Sequence, residues 1–208
     1  GAIVAFVFFE ALWFVTPVAQ TVFELLAGAG RFGVFLFMAG FVGTSYLAES
    51  WARGNASRGM QYAGLALYTV AESIVFIPLI AIALMTMADT GDFSILPRAA
   101  LVTLAMFGSL TGIVLITRKD FSFMRGVLYF AGAASVVIAF SSIIFGFTLG
   151  AVFSYAMIAL ACGYILYHTS NIIHVYRPDQ HVAAALALFS SVALLFWYVL
   201  RLFLSRRN

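Results

Sequence analysis

Long apolar runs alternate along this chain with short clusters of glycine, proline and charge. A helix that crosses a bilayer needs about 20 mainly apolar residues. Seven stretches qualify: residues 3–23, 32–51, 61–87, 96–117, 123–147, 151–174 and 182–204. Pro17 lies inside the first and Pro78 inside the third. The runs break at "GAGR", "RGNASRG", "ADTGDFSILP", "TRKDFS", "GFTLG" and "YRPDQ". Each break holds residues that end or turn a helix. Because the breaks are short, neighbouring helices are expected to pack antiparallel in one transmembrane domain over residues 1–208. Small residues four apart in "GSLTG" (108–112) predict a packing face, and "GFTLG" (146–150) predicts a turn.

Composition strengthens this reading. The 208 residues are 64% hydrophobic and only 9% charged, whereas soluble domains carry roughly 25% charge. The expected class is therefore an all-α integral membrane protein with the lipid bilayer as its partner. The first run is longer than a signal-peptide core and lacks a basic leader, so it reads as a mature helix. Cys162 stands alone, which excludes an internal disulfide and any multi-cysteine metal site. The net charge of +3 comes mainly from short-loop arginines. These read as topology signals, and nucleic acid is not an expected partner.

The loops after the second, fourth and sixth runs carry Arg53, Arg58, Arg118, Lys119, Arg125 and Arg177. The opposite loops carry Arg31 and Arg98. Basic residues stay on the cytoplasmic side. The expected orientation puts the N-terminus in the cytoplasm and, after seven spans, the C-terminus in the periplasm. Arg206 and Arg207 oppose it. A six-span form with one re-entrant segment would bring both ends inside.

A few polar residues interrupt the apolar runs. Glu72 lies near the middle of the third, where a charge costs roughly 2.5–3.5 kcal/mol on insertion scales. Pro78, six residues on, has no N–H to offer the Ile74 carbonyl. An acid beside a freed carbonyl is suited to lining a cation or proton path. The competing reading is a neutral acid that bonds a neighbouring helix. Glu10 and Pro17 repeat the arrangement more weakly, with the Trp13 carbonyl freed. In "GYILYHTSNIIH" (163–174), Tyr164, His168 and Asn171 share one helical face. His168 lies about six residues, roughly 9 Å, from the helix end. Ser190 and Ser191 reach a comparable depth in the last run, so the two polar clusters are placed to meet. Histidine titrates near neutral pH, although packing against a serine would equally explain it.

Several chemistries drop out. A retinal Schiff base needs an intramembrane lysine, and the one lysine, Lys119, is in a loop. Haem in a helical bundle usually takes facing histidine pairs, which His168, His174 and His181 cannot supply. A zinc site from His174, His181 and Asp179 has little to recommend it. His168 beside Ser190 or Ser191 is a weak protease dyad, and no G-x-S-x-G or phosphate-binding glycine loop occurs. The chain is therefore not expected to be an enzyme, and no cofactor or metal is expected.

"LITRKDFSFMRG" (115–126), "ILYHTSNIIH" (165–174) and "ALALFSSVALLFWYVLRLF" (185–203) together resemble the Bax inhibitor-1 family, in its bacterial YccA-like branch. The likeness extends over essentially the whole chain, since "QYAGLALYTVAESIVFIPL" is similar to the family's third helix. It implies a seven-helix bundle with the last helix central, in a bacterial inner membrane. It also implies a pH-modulated cation leak, of calcium or protons. The alternative it implies is a non-conducting protein that binds a membrane-anchored AAA protease of the FtsH type. The family's pair of leak-controlling aspartates falls on His168 and Ser191 here, so both acids are replaced. Arg201 matches the family's arginine latch, with Glu72 and Glu10 as candidate acid partners. The expected ion-pathway residues are thus Glu72, His168, Ser191 and Glu10.

Overall fold

The computed structural model describes residues 1–53 and 57–205. The "GNA" of the second break (54–56) and the opposing Arg206 and Arg207 lie outside the described residues, as does the side chain of Arg53. The described chain is all-α. Its helices are α1 (Ala2–Val15), α2 (Val18–Arg53), α3 (Arg58–Thr90), α4 (Ile95–Thr117), α5 (Arg125–Phe145), α6 (Ala151–His174) and α7 (His181–Ser205). Single 3-10 turns, Ser122–Met124 and Pro178–Gln180, lead into α5 and α7.

Among the described residues, six helices, α2 to α7, are long and apolar enough to cross a membrane. At 14 residues, α1 reaches only about 21 Å, short of the roughly 30 Å hydrocarbon core. The first apolar run does not form the expected single helix over 3–23. Pro17 forces the preceding residue out of the helical region, and Thr16 is extended at φ −100°, ψ 164°. Residues 18–23 instead open α2. The "GAGR" break is expressed as a kink at Gly30, where φ 59° and ψ −157° suit a residue without Cβ. Pro78 is absorbed inside α3 without ending it.

The chain forms two compact units. One comprises Gly1–Ile82 with Asp179–Leu186, the other Ala83–Pro178 with Ala187–Asn208. In the first unit, α1 packs on α3. Phe6 meets Phe76 edge-on at 5.0 Å, and Trp13 Nε1 donates to Ser73 Oγ at 2.9 Å. The crossing of α2 and α3 is very close at Gly64, where a Cβ would sit 2.6 Å from the Ala48 carbonyl oxygen. Tyr62 and His181 Nε2 share a hydrogen bond of 3.0 Å.

In the second unit, α6 packs on α4 and α5. The Tyr164 hydroxyl donates to the Leu128 carbonyl at 2.9 Å, while Phe153 meets Tyr198 at 5.9 Å. Gly146 ends α5 in the left-handed conformation, as a turn at "GFTLG" requires. The packing face expected at "GSLTG" does not form among the described residues, since a Cβ at Gly108 or Gly112 would meet open space. Most of α7 is enclosed by protein, with Leu195 and Leu200 fully buried.

Candidate functional site

Phe6, Glu10 and Trp13 lie at i, i+4 and i+7 of α1 and so share one face. Phe76 and Ser73 receive Phe6 and Trp13 across the helix pair. Glu10 therefore points at the stretch of α3 that carries Glu72. Both acids are buried, at 8% and 7% exposure, and their charges repel one another. The Tyr68 hydroxyl bonds the Glu72 carboxylate from one turn away. Both Glu10 oxygens and Glu72 Oε2 are buried with no hydrogen-bond partner among the described residues. Such groups cost about 1–3 kcal/mol each. Three unbonded carboxylate oxygens in an aromatic setting form a place where a proton or cation can be held. The Trp13 carbonyl, freed by Pro17, is taken up by the Thr16 hydroxyl at 3.3 Å.

The other predicted residues lie in the second unit. The His168 ring stacks on Tyr164, with centroids 5.8 Å apart and planes within 9°, and tilts against Tyr167 at 5.2 Å. Ser191 is buried and donates back to the Ala187 carbonyl at 2.8 Å, and Ser190 donates to the same carbonyl at 2.9 Å. Arg201 Nη2 donates to the Leu149 carbonyl at 2.7 Å, which ties α7 to the turn between α5 and α6. The arginine is thus bonded to main chain, and its two candidate acids belong to the first unit.

A further cluster in the second unit was not singled out from the sequence. Ser170, fully buried on α6, holds the loop between α4 and α5. Its hydroxyl accepts the Phe121 N–H at 2.9 Å and lies 3.4 Å from both the Lys119 carbonyl and Asp120 Oδ1. Asp120 accepts the Ser122 N–H at 2.8 Å. That bond and the Ser122 hydroxyl hold the Asp120 carboxyl below its ordinary 3.8, with smaller help from His174 and Ser170. His174 Nδ1 lies 3.0 Å from the Ser170 carbonyl. The signal was the D-x-S spacing in "TRKDFS", since a short acid two residues before a free N–H favours this turn. The serine's reach is tertiary and left no local mark. Among the described residues, no three His, Cys, Asp or Glu side chains converge to hold a metal ion.

Comparison with known proteins shows the family. A family model described as "Inhibitor of apoptosis-promoting Bax1" matches residues 1–208. The chain is 34% identical over 110 residues to a BI1-like protein of Arabidopsis thaliana, covering 50% of this chain and 43% of the relative. It is 35% identical over 126 residues to Protein LIFEGUARD 4 of the same plant, covering 57% and 50%. It is 30% identical over 113 residues to Bax inhibitor 1 of Schizosaccharomyces pombe, covering 52% and 41%. The match thus spans about half the length of these relatives.

Proposed function

The chain belongs to the Bax inhibitor-1 family, and on that premise we propose that this multi-pass membrane protein is a pH-modulated cation leak, not an enzyme. The observation that carries the reading is the buried Glu10 and Glu72 pair with its unbonded oxygens. Intramembrane acids are rare and commonly mark ion or proton pathways. Glu72 is the main binding acid, Glu10 its partner, and protons or calcium the cargo. His168 is a second titrating group where relatives keep an aspartate, Ser191 fills the other aspartate's place, and Arg201 is a latch on the turn before α6. The loop "LITRKDFSFMRG" and the sixth-run "ILYHTSNIIH" support a bacterial YccA-like membership, and hence an inner-membrane home. Loop charge supports a cytoplasmic N-terminus and a periplasmic C-terminus if α1 completes a seventh span.

The test is flux through proteoliposomes loaded with pH or calcium indicator. Wild type is expected to pass protons or calcium between about pH 6 and 8, where histidine titrates. Glu72→Gln is expected to lower that flux. Silence of the wild type at every pH would remove the leak reading.

One observation favours a second reading. Ser190 and Ser191 bond back to their own helix, as packing residues do. That fits a non-conducting protein that binds a membrane-anchored AAA protease. Copurification of such a protease with a flux-silent protein would support it.

A further inference from the structure

The loop between α4 and α5 and the first residue of α5 carry three cations within eight residues: Arg118, Lys119 and Arg125. All three side chains are exposed. None of them makes an ion pair or donates a hydrogen bond among the described residues. The nearby acid, Asp120, forms no ion pair with them among the described residues, since its carboxylate accepts the Ser122 N–H with Ser170 beside it, and three cations outnumber this one acid. Ser170 pins the loop backbone at two points, the Phe121 N–H and the Lys119 carbonyl. Arg118 turns the chain at φ 49°. The cations are thus presented from a fixed loop and not from a floppy one.

The flanking side chains are apolar and outward. Ile116 is 85% exposed, Phe123 78% and Val127 70%. They close the ends of two spans, so they mark the edge of the hydrocarbon zone. Cations in excess at that edge sit at headgroup height. Basic clusters beside a span attract acidic lipids, each charge contributing several-fold in affinity.

We propose that this loop is a binding site for the headgroup of an acidic phospholipid, with Arg118, Lys119 and Arg125 contacting its phosphate and Ser170 holding the loop in place. Lipid binding here does not depend on the leak.

The test uses the full chain, released from micelles holding equal phosphatidylglycerol and phosphatidylcholine and weighed intact by native mass spectrometry. Wild type is expected to retain phosphatidylglycerol preferentially. R118Q/K119Q/R125Q is expected to lose that preference by on the order of tenfold or more. R31Q/R58Q/R98Q, which removes as many charges elsewhere, is expected to keep it. Ser170→Ala, which changes no charge, is expected to weaken the preference a few-fold. Soluble glycerol phosphate is expected not to displace the lipid. An equal loss in both triple variants would reduce the effect to bulk charge and overturn the site. Displacement by glycerol phosphate would overturn the lipid as its occupant, and an unchanged Ser170→Ala would overturn the pinning. If the loop triple variant fails to fold, Lys119→Gln alone must lower the preference a few-fold, and no change would overturn the proposal.

Discussion

The two units each hold acidic residues, and they treat them in opposite ways. In the first, Glu10 and Glu72 are buried among aromatic rings, and three of their four oxygens have no hydrogen-bond partner among the described residues. In the second, Asp120 is exposed and engaged by backbone, hydroxyl and imidazole groups. A carboxylate that is fully bonded at a surface does structural work, because its charge is already used to fix a turn. A carboxylate buried with unused acceptors destabilises the fold, and such cost is commonly tolerated where a ligand or proton is to be held. The contrast separates a candidate transport site from a structural clamp without reference to distance from either end of the chain.

The contrast can be broken first at the acid pair. Glu72→Gln is expected to lower proteoliposome flux by tenfold or more while leaving the fold intact, as read by gel filtration and circular dichroism. Next comes stability. Replacing both acids together by apolar side chains of similar size, Glu10→Leu with Glu72→Leu, is expected to raise the thermal unfolding midpoint, because each buried unbonded group costs about 1–3 kcal/mol. Removing Ser170's hydroxyl by Ser170→Ala should act the other way. It leaves the Phe121 N–H unbonded and is expected to cost about 1–3 kcal/mol in the same thermal assay.

How much of this was readable beforehand depends on whether a feature is local. Turns marked by glycine, proline or charge, such as "GFTLG", are visible in one dimension because each residue constrains its own backbone. The split at Pro17 is hidden in the apolar pattern because hydrophobicity continues unbroken across it. The cue was the backbone restriction that proline places on Thr16. Glu10 and Glu72 each stood out as acids in apolar runs. That they face one another could not be read, since 62 residues separate them along the chain. Arg201 is conspicuous in the sequence, where an acid is its expected partner, whereas the structure gives it a backbone carbonyl. Ser170 left no trace, because a serine in a membrane helix normally bonds its own backbone.

Two smaller effects refine the second unit. His168→Asp puts back one of the two acids that the family resemblance implies and is expected to shift the pH dependence of flux without abolishing it. An unchanged profile would mark His168 as a packing residue held by Tyr164 and Tyr167. The smallest effect is that of Asp120. Its folded value lies below 3.8, so its contribution is complete above that value and fades as pH falls through the lowered one. Stability of Asp120→Asn and wild type should therefore converge in that acid range and differ slightly at neutral pH, as read by thermal melts across pH.

The most direct test sets the two acids' fates side by side in one flux assay. The double variant Glu10→Gln with Glu72→Gln and the single variant Asp120→Asn are reconstituted at equal density and assayed from about pH 6 to 8. The account predicts a silent double variant and wild-type flux from Asp120→Asn. Flux that survives in the double variant but collapses in Asp120→Asn would contradict it.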